Sequence, residues 1–247
     1  MILNEIGKVI TDAEILHRGW ISRQGFIFTG ITYPANIYDA IVIKHPQNVR
    51  CFSPVIKESS HNLEEQMELI NREKIEKAMI IAENIDFIKK CPTLRYLRII
   101  PAENAGDGFD YSPLYEMPEI KSLQCSTVYG AGERFFTELD CERITGLQDI
   151  HVTSRGYRNY KKISTLKSLE LSGSNELPDL SFLKTMKSLK TFVFNMNVKD
   201  GDLSLCTGLS YVYSERNRKH YNLKNTELPK GQYVRGNEDI EVWRRCE

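Results

Sequence analysis

The chain of 247 residues contains 33 Lys and Arg against 33 Asp and Glu, and 41% of its residues are hydrophobic. This composition excludes an intrinsically disordered chain, and the length allows one large domain or two smaller ones. Because the formal net charge is +0, the chain as a whole does not attract nucleic acid or anionic membrane.

Two features of the sequence, its first residues and its cysteines, indicate the cellular compartment of the protein. Acidic side chains at Glu5, Asp12 and Glu14 interrupt the apolar residues there, which is not the pattern of a signal peptide. No stretch of the sequence is apolar for long enough to cross a bilayer. The 6 cysteines form no C-x-x-C pair, which indicates free thiols in a reducing environment. We therefore expect a cytoplasmic protein that does not contact a membrane.

Residues 1–60 are predicted to form a small β-rich segment. FIFTGITY, YDAIVIKH and VRCFSPVI have the composition of strands, and PAN and HPQN between them are typical of turns. The segment is either an independent domain or a cap on the rest of the structure. It contains His17, Trp20, His45 and Cys51, but their spacing matches no known kind of site.

A helix is predicted over residues 61–78. Asn62 is its expected N-cap, and Glu65, three residues later, completes a capping box. Leu63 and Met67 then begin a loose apolar face. The helix is expected to lead into the next part of the chain.

The apolar residues of 79–229 repeat the template L-x-x-L-x-L. The first positions of its copies are Leu94, Ile120, Leu147, Leu166, Leu189 and Leu209. These positions lie 19 to 27 residues apart, which is shorter than a propeller blade or a helical repeat. A still earlier copy is predicted in EKAMIIAEN, with Met79 and Ile81 pointing inward.

The template has a physical explanation. Two of its apolar residues take alternate positions of a short strand and so share the strand's inner face. One such coil cannot bury its apolar face alone, whereas several stacked coils can. Residues 230–247, which include Ile240, Val242 and Trp243, are predicted to form a strand that closes the last coil.

By these residues the chain resembles bacterial leucine-rich repeat proteins. LELSGSNELPDLSFLKTMKSLKTF is similar to the short repeats of internalins, although 101–113 and 127–140 lengthen two coils. The resemblance implies an α/β repeat fold, a leucine-rich repeat solenoid with a concave parallel β-sheet, preceded by the β-rich N-terminal segment or cap. It implies no particular partner.

No catalytic or metal-binding constellation stands out. The histidines lack H-E-x-x-H spacing, and the glycine-containing turns AGDG and GAGER lack the Lys-Ser sequel of a phosphate loop. Asp149 and His151, two residues apart on one predicted strand, are the pair with most catalytic potential, but a structural role is favoured. We expect no cofactor, no metal and no enzymatic activity.

The residues between the leucines are expected on the concave face, and the loops SRGYRNYKK and SERNRKHYN are rich in Tyr and Arg. Tyr and Arg are the residues most enriched at interface hot spots. The alternative is that the loop tyrosines only pack on neighbouring coils. The predicted partner-binding residues are Tyr96, Arg98, Tyr129, Asp149, His151, Arg155, Tyr157, Arg158, Tyr160, Glu170, Tyr211, Tyr213, Arg216, Arg218 and Tyr221.

These features predict a non-enzymatic protein–protein interaction module whose partner has an acidic or mixed surface. The resemblance implies a narrower version, a toxin-neutralising immunity-type protein. One alternative is a ligand-binding or enzymatic N-terminal segment with the repeats as a specificity arm. Another is single-stranded nucleic acid binding by the Tyr/Arg loops, which the zero net charge disfavours.

Overall fold

The structure is a computed structural model that describes residues 40–45, 62–102, 105, 108–125, 138–152, 156–173, 176–214 and 216–231. Most of the predicted N-terminal segment and of the predicted closing strand lies outside these residues. The strands are β1 (Ala40–His45), β2 (Lys77–Ala82), β3 (Tyr96–Pro101), β4 (Ser122–Cys125), β5 (Leu139–Asp140), β6 (Asp149–Val152), β7 (Tyr157–Arg158), β8 (Ser168–Leu171), β9 (Glu176–Leu177), β10 (Thr191–Phe194), β11 (Asn197–Val198) and β12 (Tyr211–Ser214).

Within the described residues, eight strands form one sheet in the order β1-β2-β3-β4-β6-β8-β10-β12, and every neighbouring pair is parallel. Short 3-10 helices lie in the segments that return the chain to the next strand. They are Asp86–Lys90, Ser112–Glu116, Cys141–Arg143, Tyr160–Lys162, Ser181–Lys184 and Ser204–Gly208, with Asn225–Glu227 after the last strand. The alternation of parallel strand and 3-10 turn is that of a leucine-rich repeat solenoid.

The sheet register aligns the template residues in rows. One row runs through Ala78, Leu97, Leu123, Ile150, Leu169, Phe192 and Val212, each the direct neighbour of the next. These side chains are 0% or 1% exposed. Because the row is continuous from coil to coil, the apolar residues of all the described coils form one core. The predicted leucine-rich repeat fold is confirmed.

The first copy of the repeat differs from the prediction by one residue. Ala78 pairs with Leu97 and Ile80 with Ile99, so Ala78 and Ile80 belong to the inner row. The prediction had assigned this row to Met79 and Ile81 and is wrong. A shift of one residue exchanges the two faces of a strand, and the run KAMIIA is too uniformly apolar to specify the register by itself.

Helix α1 (Leu63–Glu73) begins where the sequence indicates and ends earlier. Asn62 Oδ1 accepts a bond from the Glu65 N–H at 3.0 Å, and Glu65 Oε2 accepts one from the Asn62 N–H at 2.9 Å. The helix ends at Lys74, whose φ of 53° is left-handed. The residues that follow form β2, because their pairing between β1 and β3 satisfies more backbone groups than another helical turn would.

Residues 229–231 cover the outer edge of β12. The Val212 N–H donates to Pro229 O at 2.9 Å, and the Gly231 N–H donates to Ser210 O at 3.0 Å. The Lys230 ammonium donates to Val212 O at 2.8 Å. An uncovered edge would offer unpaired backbone groups to another chain, so this antiparallel crossing protects the end of the sheet.

Candidate partner-binding surfaces

The concave face, opposite the leucine rows, carries polar side chains from successive strands. One row consists of Arg98, Gln124, His151 and Glu170. The neighbouring row consists of Tyr96, Ser122, Asp149, Ser168 and Thr191. Parallel strands in register therefore bring together residues that are far apart in the sequence, as the template predicts.

Five predicted partner-binding residues on this face are buried within the chain. The exposed fraction is 3% for Tyr96 and Arg98, 7% for Asp149 and His151, and 6% for Glu170. Charged groups are buried at a large cost unless they have polar partners, so these side chains contribute to contacts inside the protein. Their contact with a partner protein stays a prediction.

Asp149 and His151 each bond to a neighbouring strand. The Ser122 hydroxyl donates to Asp149 Oδ2 at 2.5 Å. Gln124 Nε2 lies 2.6 Å from His151 Nδ1. The partners of this candidate catalytic pair thus come from β4, one coil earlier, and repeat alignment of the sequence would have shown Ser122 and Gln124 beside them.

The other imidazole nitrogen faces a hydroxyl and a carboxylate. His151 Nε2 lies 2.7 Å from Ser172 Oγ and 3.6 Å from Glu170 Oε1. A hydroxyl at this distance from an imidazole is a geometry that nucleophile–base pairs use. Here the carboxylate competes for the same nitrogen and an amide, Gln124, faces the other one, so the cluster is better explained as a cross-strand polar network.

Two of the predicted loop tyrosines bond to the backbone of the preceding coil. The Tyr157 hydroxyl donates to Cys125 O at 2.6 Å and accepts from the Cys125 N–H at 2.7 Å. The Tyr221 hydroxyl accepts from the Val198 N–H at 3.1 Å and donates to Met196 O at 3.3 Å. Burial raises the pKa of Tyr157 well above its usual value. Both tyrosines thus make the contacts with a neighbouring coil that the alternative interpretation expects, and their contact with a partner stays a prediction.

Two described residues of the first predicted loop, Arg158 and Tyr160, are more accessible. Arg158 is exposed and forms an ion pair with Glu138 on the surface. Tyr160 is partly exposed, and burial of its ring raises its pKa to about 12. Tyr129 and Arg155 lie outside the described residues.

The last strand and the loop after it form an accessible cluster, which we call the C-terminal surface: Tyr211, Tyr213, Arg216, Arg218 and Lys230. Arg216 and Lys230 are exposed, and the other three are partly exposed. The Lys230 ammonium lies 5.7 Å from the Tyr211 ring centroid and 5.1 Å from that of Tyr213, within cation–π range. The structure thus places Lys230, which sequence reasoning missed because it comes from a later turn, over Tyr211 and Tyr213, and Arg216 and Arg218 lie in the loop that follows β12.

Neither a metal site nor a reactive thiol is found in the described part of the chain. No three His, Cys, Asp or Glu side chains there group as metal ligands. Burial raises the pKa of Cys91 to about 11 and those of Cys141 and Cys206 to about 12, which makes these thiols poor nucleophiles. No helix in the described ranges is long and apolar enough to cross a membrane.

Comparison with known proteins adds one structural likeness. No protein-family model and no curated protein matches the chain. Among solved structures, the chain is similar to an internalin (inlF) from Listeria monocytogenes str. 4b F2365, with a TM-score of 0.37 and 19% sequence identity. The match covers 59% of this chain and 49% of that chain, so it spans about half the length of the internalin. The assignment of the fold follows from the sheet register and the buried rows described above.

Proposed function

We propose that this chain is a non-enzymatic protein-binding module that contacts its partner through the C-terminal surface. The observation that carries the proposal is a change in burial along the sheet. The residues of β4, β6, β8 and β10 are all buried, whereas in β12 the side chains of the concave face, Tyr211 and Tyr213, are partly exposed. The concave face is thus accessible at the last strand.

The chemistry of this surface suits a protein partner. Tyr and Arg bring large, stiff contact areas with polar tips, and they dominate interface hot spots. Lys230 holds its ammonium over both tyrosine rings and bonds to Val212 O, so these three side chains are held in place before a partner binds. Because Arg216, Arg218 and Lys230 are all cationic, the expected partner presents an acidic or mixed surface.

Neutralisation of a toxin is the narrower form of the proposal. Leucine-rich repeat solenoids present extended surfaces to large partners, which is what blocking the active site of a toxin requires. In that case binding would abolish the toxin's activity, whereas a scaffolding role would leave the partner's activity intact. An activity assay of the partner with and without this chain separates the two.

The proposal is tested by finding the partner and then weakening the surface. A photo-crosslinking amino acid at Tyr213 in the full chain should capture a protein that the same group at Lys90, on a return segment, does not. With the purified partner, Tyr213→Ala combined with Arg216→Glu should raise the Kd by about 100-fold or more, because both hot-spot side chains are lost.

The control pair is Lys90→Glu with Glu68→Ala, two exposed residues in the first part of the solenoid, at the opposite end of the sheet from β12. It should leave the Kd unchanged within about threefold, since exposed charges far from an interface contribute little. The urea midpoint of every variant is measured to show that it is folded. If the folded variant with Tyr213→Ala and Arg216→Glu binds the partner with wild-type affinity, the C-terminal surface is not where the partner binds.

A further inference from the structure

Three buried apolar side chains of the concave face do not belong to the main core. Ile81, Ile100 and Val193 are 0%, 8% and 2% exposed. Ile81 pairs with Ile100 and Val193 pairs with Glu170, so all three lie on the face opposite the leucine rows. The core that the described coils share contains the leucine rows but none of these three residues. They are therefore buried against something other than that core.

Polar side chains of the same face are buried as deeply. Arg98, Gln124, Ser168 and Thr191 are 3%, 3%, 2% and 0% exposed. Side chains on one face of a sheet stand roughly perpendicular to it, on strands about 4.8 Å apart. They shield the sides of their neighbours and leave the outer ends open. A side chain as long as that of arginine is thus covered only when a second layer lies over the sheet.

The described elements outside the sheet pack on its other side. Helix α1 and the 3-10 helices contribute residues such as Leu69, Leu114 and Leu183 to the main core, together with the leucine rows. These elements close the leucine side of the sheet and not the concave side. The layer over the concave face consequently comes from residues outside the described ranges.

We propose that residues 1–39, which we call the leading segment, form this layer over the concave face from β2 to β10. The leading segment joins the sheet at β1, the strand at the opposite edge from β12. The face is covered from Ile81 in β2 to Val193 in β10, and it is partly open at Tyr211 and Tyr213 in β12. A layer that enters beside β1 and ends before β12 produces this distribution of burial.

Residues 232–247 are less suitable as the layer. They follow Gly231, whose N–H donates to Ser210 O at 3.0 Å beside β12. A layer that starts at this edge would cover the concave side chains of β12 first. Those side chains, Tyr211 and Tyr213, are the accessible ones.

The length and composition of the leading segment fit the surface. From β2 to β10 the sheet has five steps of about 4.8 Å, roughly 24 Å, which about seven extended residues span. The leading segment is long enough for several such passes. About half of its residues are hydrophobic, against 41% of the whole chain, which suits contact with the apolar part of the face. It also contains carboxylates and guanidinium groups, such as Glu14 and Arg18, that supply opposite charges to Arg98 and Glu170.

This layer changes what a partner can reach. Repeat solenoids use their concave surfaces to bind other molecules. Here the leading segment of the same chain takes that place, so a partner reaches Asp149, His151 and Glu170 only after the segment has left the sheet. The C-terminal surface stays accessible while the layer is in place.

The test measures how fast a thiol on the concave face reacts. Ser168→Cys is introduced into the full chain in a Cys51→Ser, Cys246→Ser background, and labelling by a thiol reagent at neutral pH is followed by mass spectrometry. The substituted thiol should react at least about 100-fold more slowly than that of Ser164→Cys, at an exposed turn, because it reacts only when the layer opens. Val193→Cys provides a second concave position with the same expectation.

The identity of the layer is tested by weakening one segment at a time. Phe26→Ser with Phe28→Ser removes two apolar side chains from the leading segment, so it should speed the labelling of the concave thiol by about tenfold or more. The native thiols of the main core should stay unreactive. Ile240→Ser with Val242→Ser makes the same change in residues 232–247 and is the matched control, which should leave the rate unchanged within about twofold.

Four results would overturn the proposal. They are labelling of the concave thiol as fast as at the exposed turn, a rate that neither pair of substitutions changes, a rise at least as large with the Ile240 and Val242 pair, and an equal rise at Cys91 and Cys206. The last result would place the leading segment in the main core. A rise confined to the concave thiol and to the Phe26 and Phe28 pair supports the proposal. No partner takes part in these measurements, so their outcome is independent of the C-terminal surface.

Discussion

Tyrosine hydroxyls join successive coils of this solenoid. Tyr157 and Tyr221 each satisfy one N–H and one C=O of the coil before them, and the Tyr115 hydroxyl accepts from the Asp140 N–H at 2.9 Å. Cys125, Asp140 and Val198 are each the last residue of a short strand, where the ladder ends and a side chain can supply a further partner. A rigid side chain with both a donor and an acceptor supplies the missing bonds.

Removing one of these hydroxyls tests this role. Tyr157→Phe leaves the buried N–H and C=O of Cys125 without their side-chain partner, so the free energy of unfolding should fall by about 1–3 kcal/mol. Urea denaturation of both proteins measures the difference. Tyr160→Phe is the control, because its hydroxyl makes no hydrogen bond in the described part of the chain, and it should change stability by less than about 0.5 kcal/mol. An equal effect of both substitutions would contradict the assigned role of Tyr157.

At the scale of the element, an aspartate starts several return segments. Its carboxylate accepts the N–H of the residue two positions later, as an N-cap does for a helix. The pairs are Asp110 with Ser112, Asp140 with Glu142, Asp179 with Ser181, and Asp202 with Ser204, at distances of 2.8, 3.2, 2.6 and 2.9 Å. The same hydrogen bond, from a backbone N–H to the aspartate carboxylate two residues earlier, thus marks the start of the 3-10 segment in several coils.

These caps predict acid sensitivity. Hydrogen bonds from the side chain and backbone of Ser204 lower the pKa of Asp202 below its usual 3.8, and those from Ser181 do the same for Asp179. The stabilisation is complete above pH 3.8 and is lost as the pH falls through the lower folded-state pKa values. The urea midpoint should therefore decrease as the pH is lowered through this range.

The contribution of one cap can be separated from general acid effects. Asp202→Asn keeps an acceptor oxygen but cannot be protonated, so its urea midpoint should depend less on acid pH than that of the wild type. Asp86→Asn is the matched control. It removes an exposed carboxylate that caps no backbone N–H among the described residues. If both variants follow the same acid dependence, Asp202 does not act as a titrating cap.

At the scale of the whole molecule, the coils share one core and should unfold together. Leu169 is 0% exposed and lies between Ile150 and Phe192 in the central row. Leu169→Ala should therefore reduce the free energy of unfolding by about 2–5 kcal/mol, as in other fully buried sites. Ser164→Ala, at an exposed turn position of the same coil, leaves the core intact and is the control for local disturbance.

The buried cysteines report whether unfolding is cooperative. Cys91, Cys141 and Cys206 lie in early, middle and late coils, and burial raises their pKa values to about 11, 12 and 12. In a Cys51→Ser, Cys246→Ser background, they should resist a thiol reagent at neutral pH and become reactive at one shared urea midpoint. Labelling of Cys206 at a lower urea concentration than Cys91 would show that the last coils unfold separately.

The sequence by itself determined the repeating core and the start of α1. Template spacing predicts the buried rows, because burial of apolar residues at these intervals requires stacked coils, and Asn62 with Glu65 predicts the helix start from local hydrogen bonding alone. The tertiary structure decided which polar residues a partner can reach. His151 bonds to Gln124 and Tyr157 to Cys125, 27 and 32 residues away, and these contacts depend on coil stacking and loop path. For the same reason, exposure on the concave face at Tyr211 and Tyr213, but not at Arg98 or Glu170, could not be derived from local pattern.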